Sequence, residues 1–229
     1  MTLPFPTWDG IDRRNRDREA DPRAEHLDTV FSLARTSEIY DQDTGEHVLR
    51  IRHIVERLAI ALSWTPADAS LLGCDAMLHD IGKLYVPTTI LNKDGALDDD
   101  ERMIMQLHTV RGARMLNSPA SMTQAANIAR HHHEHWDGSG YPDGLAGEDI
   151  PIEARICAVA DVLDALMNRR AYKEPWTFDR AVNEVRSLAG TQLDPGVIAA
   201  LEACNDDGSL SQLFGLSDRC AMPKDRDAG

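Results

Sequence analysis

The sequence predicts an all-α protein: a single bundle-like domain over residues 22–205, with a charged leader (1–21) before it and a polar extension (206–229) after it. Three observations carry that prediction. Apolar residues recur at three- and four-residue spacing through most of the chain. Residues that start helices, Thr65-Pro66, Asp98, Pro119, Pro151 and Pro195, stand in front of those runs. No stretch sustains the alternation of a half-buried strand, and no internal repeat is present. At 229 residues, 42% of them hydrophobic, the chain is long enough to bury a sizeable core.

Residues 9–25 alternate acids with arginines (Asp12-Arg13-Arg14, Arg16-Asp17-Arg18-Glu19) and offer almost nothing to a core, so they read as a solvated leader. Leu27, Val30, Phe31 and Ala34 mark a first helix from about Asp21-Pro22 to Tyr40. A second, near Thr44 to Ser63, carries the stripe Val48, Ile51, Ile54, Val55, Leu58, Ala59, Leu62. Thr65 as N-cap and Pro66 at the first helical position open a third, which runs through Leu72, Cys74 and Leu78 to close at His79-Asp80. Leu84 to Pro87 reads as a short extended connection, because proline disfavours helix in the residue before it. Asp98-Asp99-Asp100-Glu101 places acids at the positive end of the next helix, which continues through Met103, Ile104, Leu107 and His108 toward Leu116. Pro119 starts the helix that leads into His131-His132-His133, and Pro151 starts a strongly apolar one from Ile152 to Leu166. Helices at Thr177 to Leu188 and Pro195 to Ala203 follow, and beyond Asn205 the chain turns polar, with one weak apolar segment of Leu210, Leu213, Phe214 and Leu216.

The formal charge of −14 disfavours nonspecific binding to nucleic acid or to an anionic membrane surface. A small anionic ligand remains compatible with a locally positive site, and metal ions supply such charge. No apolar run approaches the ~20 residues of a membrane helix. The N-terminus lacks a basic segment followed by an apolar one, so a cytoplasmic location without membrane insertion is expected. Cys74, Cys157, Cys204 and Cys220 are widely scattered and read as buried small apolar residues rather than a disulfide framework. Only about 25 residues precede the first core helix, too few for a sensor domain. Regulation would then arrive through a protein partner, a homo-oligomer or the redox state of bound metal.

Chemistry concentrates in Arg130-His131-His132-His133-Glu134-His135-Trp136-Asp137-Gly138-Ser139-Gly140-Tyr141-Pro142, where a helix passes directly into a glycine-rich turn. Clustered histidines at a helix end supply imidazole nitrogen to metals. Ligand-type residues also fall on each of five successive helices: His47, His79 with Asp80, His108, His132 with His133, and Asp161. Asp161 interrupts an otherwise apolar helix, a costly place for a carboxylate unless a cation pairs with it. Seven ligands exceed the need of one metal with an open position, and two metals sharing a bridging carboxylate account for them.

These pieces resemble the HD-GYP family, a branch of the HD-superfamily metal-dependent phosphohydrolases. The resemblance rests on His79-Asp80-Ile81-Gly82-Lys83, His132-His133-Glu134 and Asp137-Gly138-Ser139-Gly140-Tyr141-Pro142. Asp43-Thr44-Gly45-Glu46-His47, Ala160-Asp161-Val162-Leu163-Asp164-Ala165-Leu166 and Arg170-Ala171-Tyr172-Lys173 match as well, so about residues 30–200 are covered. It implies an HD-type helical bundle that hydrolyses cyclic di-GMP to pGpG or on to GMP. It further implies one metal held by His47, His79, Asp80 and Asp161, with Asp80 bridging to a second held by His108, His132 and His133. Lys83 matches the lysine that contacts the scissile phosphate, Tyr141 a residue lining the guanine pocket, and Arg170 and Lys173 phosphate-binding positions. Mixed imidazole and carboxylate ligands favour iron or manganese, with zinc as the other option.

Many relatives carry glutamate where this chain has Asp43, and there the longer side chain helps hold a third metal. Aspartate is shorter by one methylene, so two metals are expected, with Asp43 a helix cap or an acceptor behind the ligands. Proline is common where this chain has Ala171, a difference that touches only loop stiffness. Glu134, Asp137 and Asp164 are candidates for the layer behind the ligands or, for the first two, for the turn. His26, His53, His131 and His135 have no matching ligand role and are assigned to the surface or to that second layer. Two other readings stand beside the enzyme: a weakly active or inactive module that binds cyclic dinucleotides or protein partners, and a phosphohydrolase of another nucleotide. Completeness of the ligand set favours the enzyme.

Overall fold

Helices form where the caps place them. The computed structural model describes residues 30, 32–34, 46–117, 122–167 and 176–214. Val30 and residues 32–34 are helical and are followed by α1 (Glu46–Ala61), α2 (Pro66–Ala76), α3 (Thr88–Leu91), α4 (Asp99–Leu116), α5 (Thr123–His131), α6 (Ile152–Met167), α7 (Phe178–Ser187), α8 (Pro195–Asp206) and α9 (Ser209–Leu213). Short 3-10 turns occupy Ile81–Tyr85 and Gly147–Asp149. The all-α expectation holds: among the described residues there is no strand, only an isolated bridge between Ala189 and Leu193.

Thr65 Oγ1 accepts the Asp68 amide at 3.2 Å to open α2, and Asp194 Oδ1 accepts the Gly196 amide at 2.6 Å to open α8. At α4 the Asp98 carboxylate accepts the Glu101 amide while Glu101 accepts the Asp98 amide, both at 2.9 Å, a reciprocal capping box. Each such cap contributes about 1 kcal/mol by satisfying amides that the helix cannot.

Two apolar clusters lie side by side. The larger joins Ile51, Ile54 and Leu58 of α1 to Leu72 of α2, Ile156 and Leu163 of α6, Val182 and Val185 of α7 and Leu201 of α8. The smaller joins Val30 and Ala34 to Val48, Leu78, Ile81, Leu116, Met122 and Ala125. α1 and α5 face both clusters, and the histidines lie on the elements these clusters hold together.

Three expectations are corrected. α2 ends at Ala76, and successive i→i−3 bonds (Leu78 to Asp75, His79 to Ala76, Ile81 to Leu78, Lys83 to Asp80) then tighten the chain into the 3-10 turn. The piece expected to be extended is therefore largely 3-10, and only Val86, the residue before Pro87, has extended backbone. The core does not stop at residue 205: α9 follows Gly208, whose φ of 75° turns the chain back, and it buries Leu210 completely. Phe214 packs against Phe178 with ring centroids 5.8 Å apart and planes tilted by 48°. Asp43, Thr44, Pro119, Ala171 and Cys220 lie outside the described residues.

The C-terminal correction has a direct check. Leu210→Ala should destabilise the protein by about 2–5 kcal/mol, as for other fully buried leucines, read as a shift in the urea midpoint. A polar extension beginning at 206 would leave the midpoint unchanged.

Candidate metal centre

Five elements bring their histidines and aspartates to one place. His47 stands in the first turn of α1, His79 and Asp80 in the turn after α2, and His108 inside α4. His132 and His133 directly follow α5, and Asp161 lies on α6. Gly82 permits the closest approach: a Cβ there would lie 1.9 Å from His108 O and 2.6 Å from Gly112 N. Only glycine lets the 3-10 turn seat on α4 and set Asp80 beside His108.

The donor atoms fall into two groups, each with all its ligand atoms within 4.8 Å of one another: Asp80, His108, His132, His133 and His47, His79, Asp161. Asp80 also lies 3.4 Å from His79 Nε2, so its carboxylate stands between the groups. His108 Nε2 and His132 Nε2 face Asp80 Oδ1 at 3.2 and 3.7 Å, and Asp161 Oδ1 lies 3.9 Å from His47 Nε2 and 4.0 Å from His79 Nε2.

Four imidazoles are aimed from behind. His79 Nδ1 donates to Ala76 O at 2.9 Å, His108 Nδ1 to Met105 O at 2.7 Å, and His132 Nδ1 to Ile128 O at 3.0 Å. His47 Nδ1 donates to Asp164 Oδ2 at 2.7 Å. Carbonyls and carboxylates accept only, so Nδ1 carries a hydrogen, and whenever the ring is neutral its Nε2 lone pair faces the centre. His79 Nε2, His108 Nε2, His132 Nε2 and Asp80 Oδ1 are all buried without a hydrogen-bond partner. Convergent lone pairs left unpaired in the interior fit divalent cations: each would otherwise cost about 1–3 kcal/mol.

Electrostatics separates the histidines. Burial alone would push His79 down, but the Asp80 and Asp161 carboxylates outweigh it and raise the imidazole to about 9. Burial pushes His132 and His133 down, and neighbouring imidazoles add to that, so both stay neutral. Burial would raise Asp80, yet Lys83 and His79 hold it well below the usual carboxylate range. Lys83 Nζ lies 2.7 Å from Asp80 Oδ2. Burial, reinforced by Asp80, raises the Tyr141 phenol, which stays protonated, and its ring lies 4.9 Å from that of His133.

The layer behind these atoms differs in part from the sequence expectation. Asp164 stands behind His47, a candidate ligand, and it is shared: Arg50 Nε donates to Asp164 Oδ1 at 2.5 Å and Nη2 to Oδ2 at 3.2 Å. Arg50 is the residue that sequence reasoning missed, although its place three residues after His47 puts it on the same helix face. Among the described residues Glu134 turns to backbone amides rather than to a histidine: its oxygens accept the Asp143 and Leu145 amides at 2.7 and 3.1 Å. Asp137 is exposed and accepts the Ser139 amide at 2.9 Å, a turn residue away from the ligands. His53 is half-exposed near Glu56, His131 lies 3.0 Å from Asp143, and His135 lies 2.9 Å from Ser139 Oγ. Cys74, Cys157 and Cys204 are buried thiols. Asp43, His26, Arg170 and Lys173 lie outside the described residues.

Gly82→Ala should destabilise the protein by about 1–3 kcal/mol or more through overpacking and lower its metal content. Gly112→Ala, whose Cβ would meet nothing nearer than 3.2 Å, is the milder control. Equal metal content in wild type and Gly82→Ala would show that the close approach does not set the centre. The raised His79 pKa gives a second check. A histidine raised on folding stabilises the metal-free protein below about 6.5, and that contribution disappears as pH rises through about 9. The midpoint of metal-free protein should therefore fall over that window. Loaded protein should not show the fall, since ligation requires neutral His79.

An HD domain family model matches residues 27–197. The 3'3'-cGAMP-specific phosphodiesterase 2 of Vibrio cholerae is 40% identical over 194 residues, 84% of this chain and 37% of the relative. The cyclic di-GMP phosphodiesterase response regulator RpfG of Xanthomonas campestris is 41% identical over 76% of this chain and 47% of its own length. A cyclic di-GMP phosphodiesterase of Thermotoga maritima is 42% identical over 77% of this chain and 50% of its own length. The chain thus spans half the length, or less, of these curated relatives. Among solved structures, the cyclic GMP-AMP-specific phosphodiesterase V-cGAP3 of V. cholerae superposes with a TM-score of 0.62 at 20% identity, over 84% of this chain and 51% of that one. The HD domain of the Listeria monocytogenes phosphodiesterase PgpH, in complex with cyclic-di-AMP, gives 0.55 at 18% identity, over 85% and 99%. At these identities the structures speak for the fold, and no described helix is long and apolar enough to cross a membrane. By its family-model match, its fold and its paired His/Asp clusters, the chain belongs to the HD domain family, in the HD-GYP branch.

Proposed function

We propose that this chain is a cytoplasmic metal-dependent phosphodiesterase that hydrolyses cyclic di-GMP to pGpG or on to GMP. The observation that carries the reading is Asp80, standing between two donor groups with Lys83 at 2.7 Å. A single metal would need neither the second group nor a shared carboxylate. His47, His79, Asp80 and Asp161 would hold one divalent cation and Asp80, His108, His132 and His133 the other. Iron or manganese suits this mixed donor set, with zinc as the other option. Two cations bound there supply Lewis acidity at the phosphoryl oxygens and acidify the attacking water.

The chain's own residues do the rest. Lys83 places a positive charge at the edge of the centre, where a phosphodiester oxygen gains negative charge as the bond breaks. The Tyr141 ring beside His133 offers a flat face for a base, and its protonated hydroxyl remains a donor. Arg170 and Lys173 are assigned to phosphate by motif resemblance, and Asp43 to a supporting role around a two-metal centre. A relative 40% identical to this chain is named for 3'3'-cGAMP, so that dinucleotide is the second substrate to test.

Protein purified without oxygen should contain two metals per chain and hydrolyse cyclic di-GMP faster than 3'3'-cGAMP or cyclic-di-AMP. Asp80→Ala should lose metal and turnover while keeping its helical circular dichroism. Lys83→Ala should keep its metal and lower kcat about 10²–10³-fold with little change in KM. Wild-type protein carrying two metals that leaves every cyclic dinucleotide intact would overturn the reading.

A further inference from the structure

The loop from Glu134 to Leu145 is folded back onto the end of α5. Tyr141 N–H donates to His133 O at 3.2 Å. At Gly140 a Cβ would meet His135 N at 2.3 Å and His133 O at 2.5 Å, so no side chain fits where the loop crosses that end. Two carboxylates fasten the far side. Glu134, only 3% exposed, spends both oxygens on the Asp143 and Leu145 amides. Asp143 in turn takes Arg130 Nε and Nη2, each at 2.7 Å, and His131 Nε2 at 3.0 Å.

These groups are engaged with one another and with backbone amides, and the proposed chemistry uses none of them. What they do share is the hold on Asp143, two residues after Tyr141, whose ring lies 4.9 Å from that of His133. We propose that Glu134 and the Asp143–Arg130 pair are positioning residues that brace Tyr141 against His133, and so set how tightly a cyclic dinucleotide's base is held, without entering the chemical step. The inference rests on the functional reading above. The two fastenings differ in strength. A buried carboxylate accepting two amides is a charge-assisted arrangement that glutamine only half replaces. The Arg130–Asp143 pair is about one-third exposed on each side, where screening by water weakens it.

The brace therefore predicts a graded effect on affinity. Glu134→Gln should raise KM about tenfold, the loss of one charge-assisted hydrogen bond, with kcat within about threefold. Asp143→Ala should raise KM by about threefold. Metal content should stay at the wild-type value in both. Hydrogen exchange at the Tyr141 and Leu145 amides should quicken, and the exchanged pair Arg130→Asp with Asp143→Arg should restore KM relative to either single change. Affinity for a hydrolysis-resistant phosphorothioate analogue of cyclic di-GMP, measured by calorimetry on metal-loaded protein, separates this idea from the functional reading. If the analogue binds and weakens in the two variants while no dinucleotide is hydrolysed, the phosphodiesterase reading fails and the brace stands. If exchange quickens but KM and analogue affinity are unchanged, or kcat falls at constant KM, the brace is wrong. If wild type does not bind the analogue, both fail.

Discussion

The centre depends on where four imidazoles send their Nδ1 hydrogens. At His79, His108 and His132 the acceptor is a main-chain carbonyl three or four residues back. Ala76 O and Ile128 O already accept the His79 and His132 amides, and a carbonyl oxygen has a second lone pair, so a histidine just past the end of α2 or α5 finds support for its ring in the same backbone carbonyl. Inside α4 the Met105 carbonyl serves the same purpose for His108. His47 cannot be supported this way. It sits at the start of α1, where the spare backbone groups are amides, and an imidazole needing an acceptor must find one on a side chain. Asp164 supplies it from α6, and because that carboxylate is buried it needs Arg50. The backbone rule at three positions thus explains why a side-chain network appears at the fourth.

Aiming so many lone pairs at one point opposes folding of the metal-free chain. Asp80 Oδ1 and three Nε2 atoms are buried without hydrogen bonds. The two apolar clusters on the surrounding helices hold the arrangement in place before any cation arrives. Cations that bind the folded form alone add stability by mass action. Gly82 shows how little slack the geometry has: one methyl group there would meet the His108 carbonyl and separate the turn carrying Asp80 from α4.

Much of this was legible in the sequence. Helical spacing and capping residues gave the all-α class, because both act within a few residues of the chain. The seven ligand-type residues stood out jointly, because one or an adjacent pair falls on each of five successive helices. Arg50 carried a readable signal as well, three residues after His47 and matched by Asp164 three residues after Asp161, yet pairing the two required knowing that α1 and α6 are neighbours. Glu134 was less legible. Nothing local tells a carboxylate after two histidines whether it will turn to an imidazole or to amides nine and eleven residues on. That choice follows from the fold-back at Gly140. The C-terminal helix was missed for a related reason, since four apolar residues in a polar stretch are too few to define a period.

Charge links the centre to its proposed substrate. The chain carries −14 overall, a field that repels phosphate. Near the centre Arg50 is committed to Asp164, and Lys83 lies against Asp80. Without cations Asp80 and Asp161 leave the donor cluster unattractive to a phosphodiester. Two divalent ions over those two carboxylates would reverse the local sign, and Lys83 would then add to a positive site rather than neutralise a negative one. On that reading metal loading and anion binding would be coupled through one residue, since Asp80 would share between the cations the charge it now shares with Lys83. On the proposed function, the same coupling would turn the ammonium group toward the substrate's oxygens as the centre is assembled, and the negative surface would disfavour polyanions while the loaded site admits a small anion.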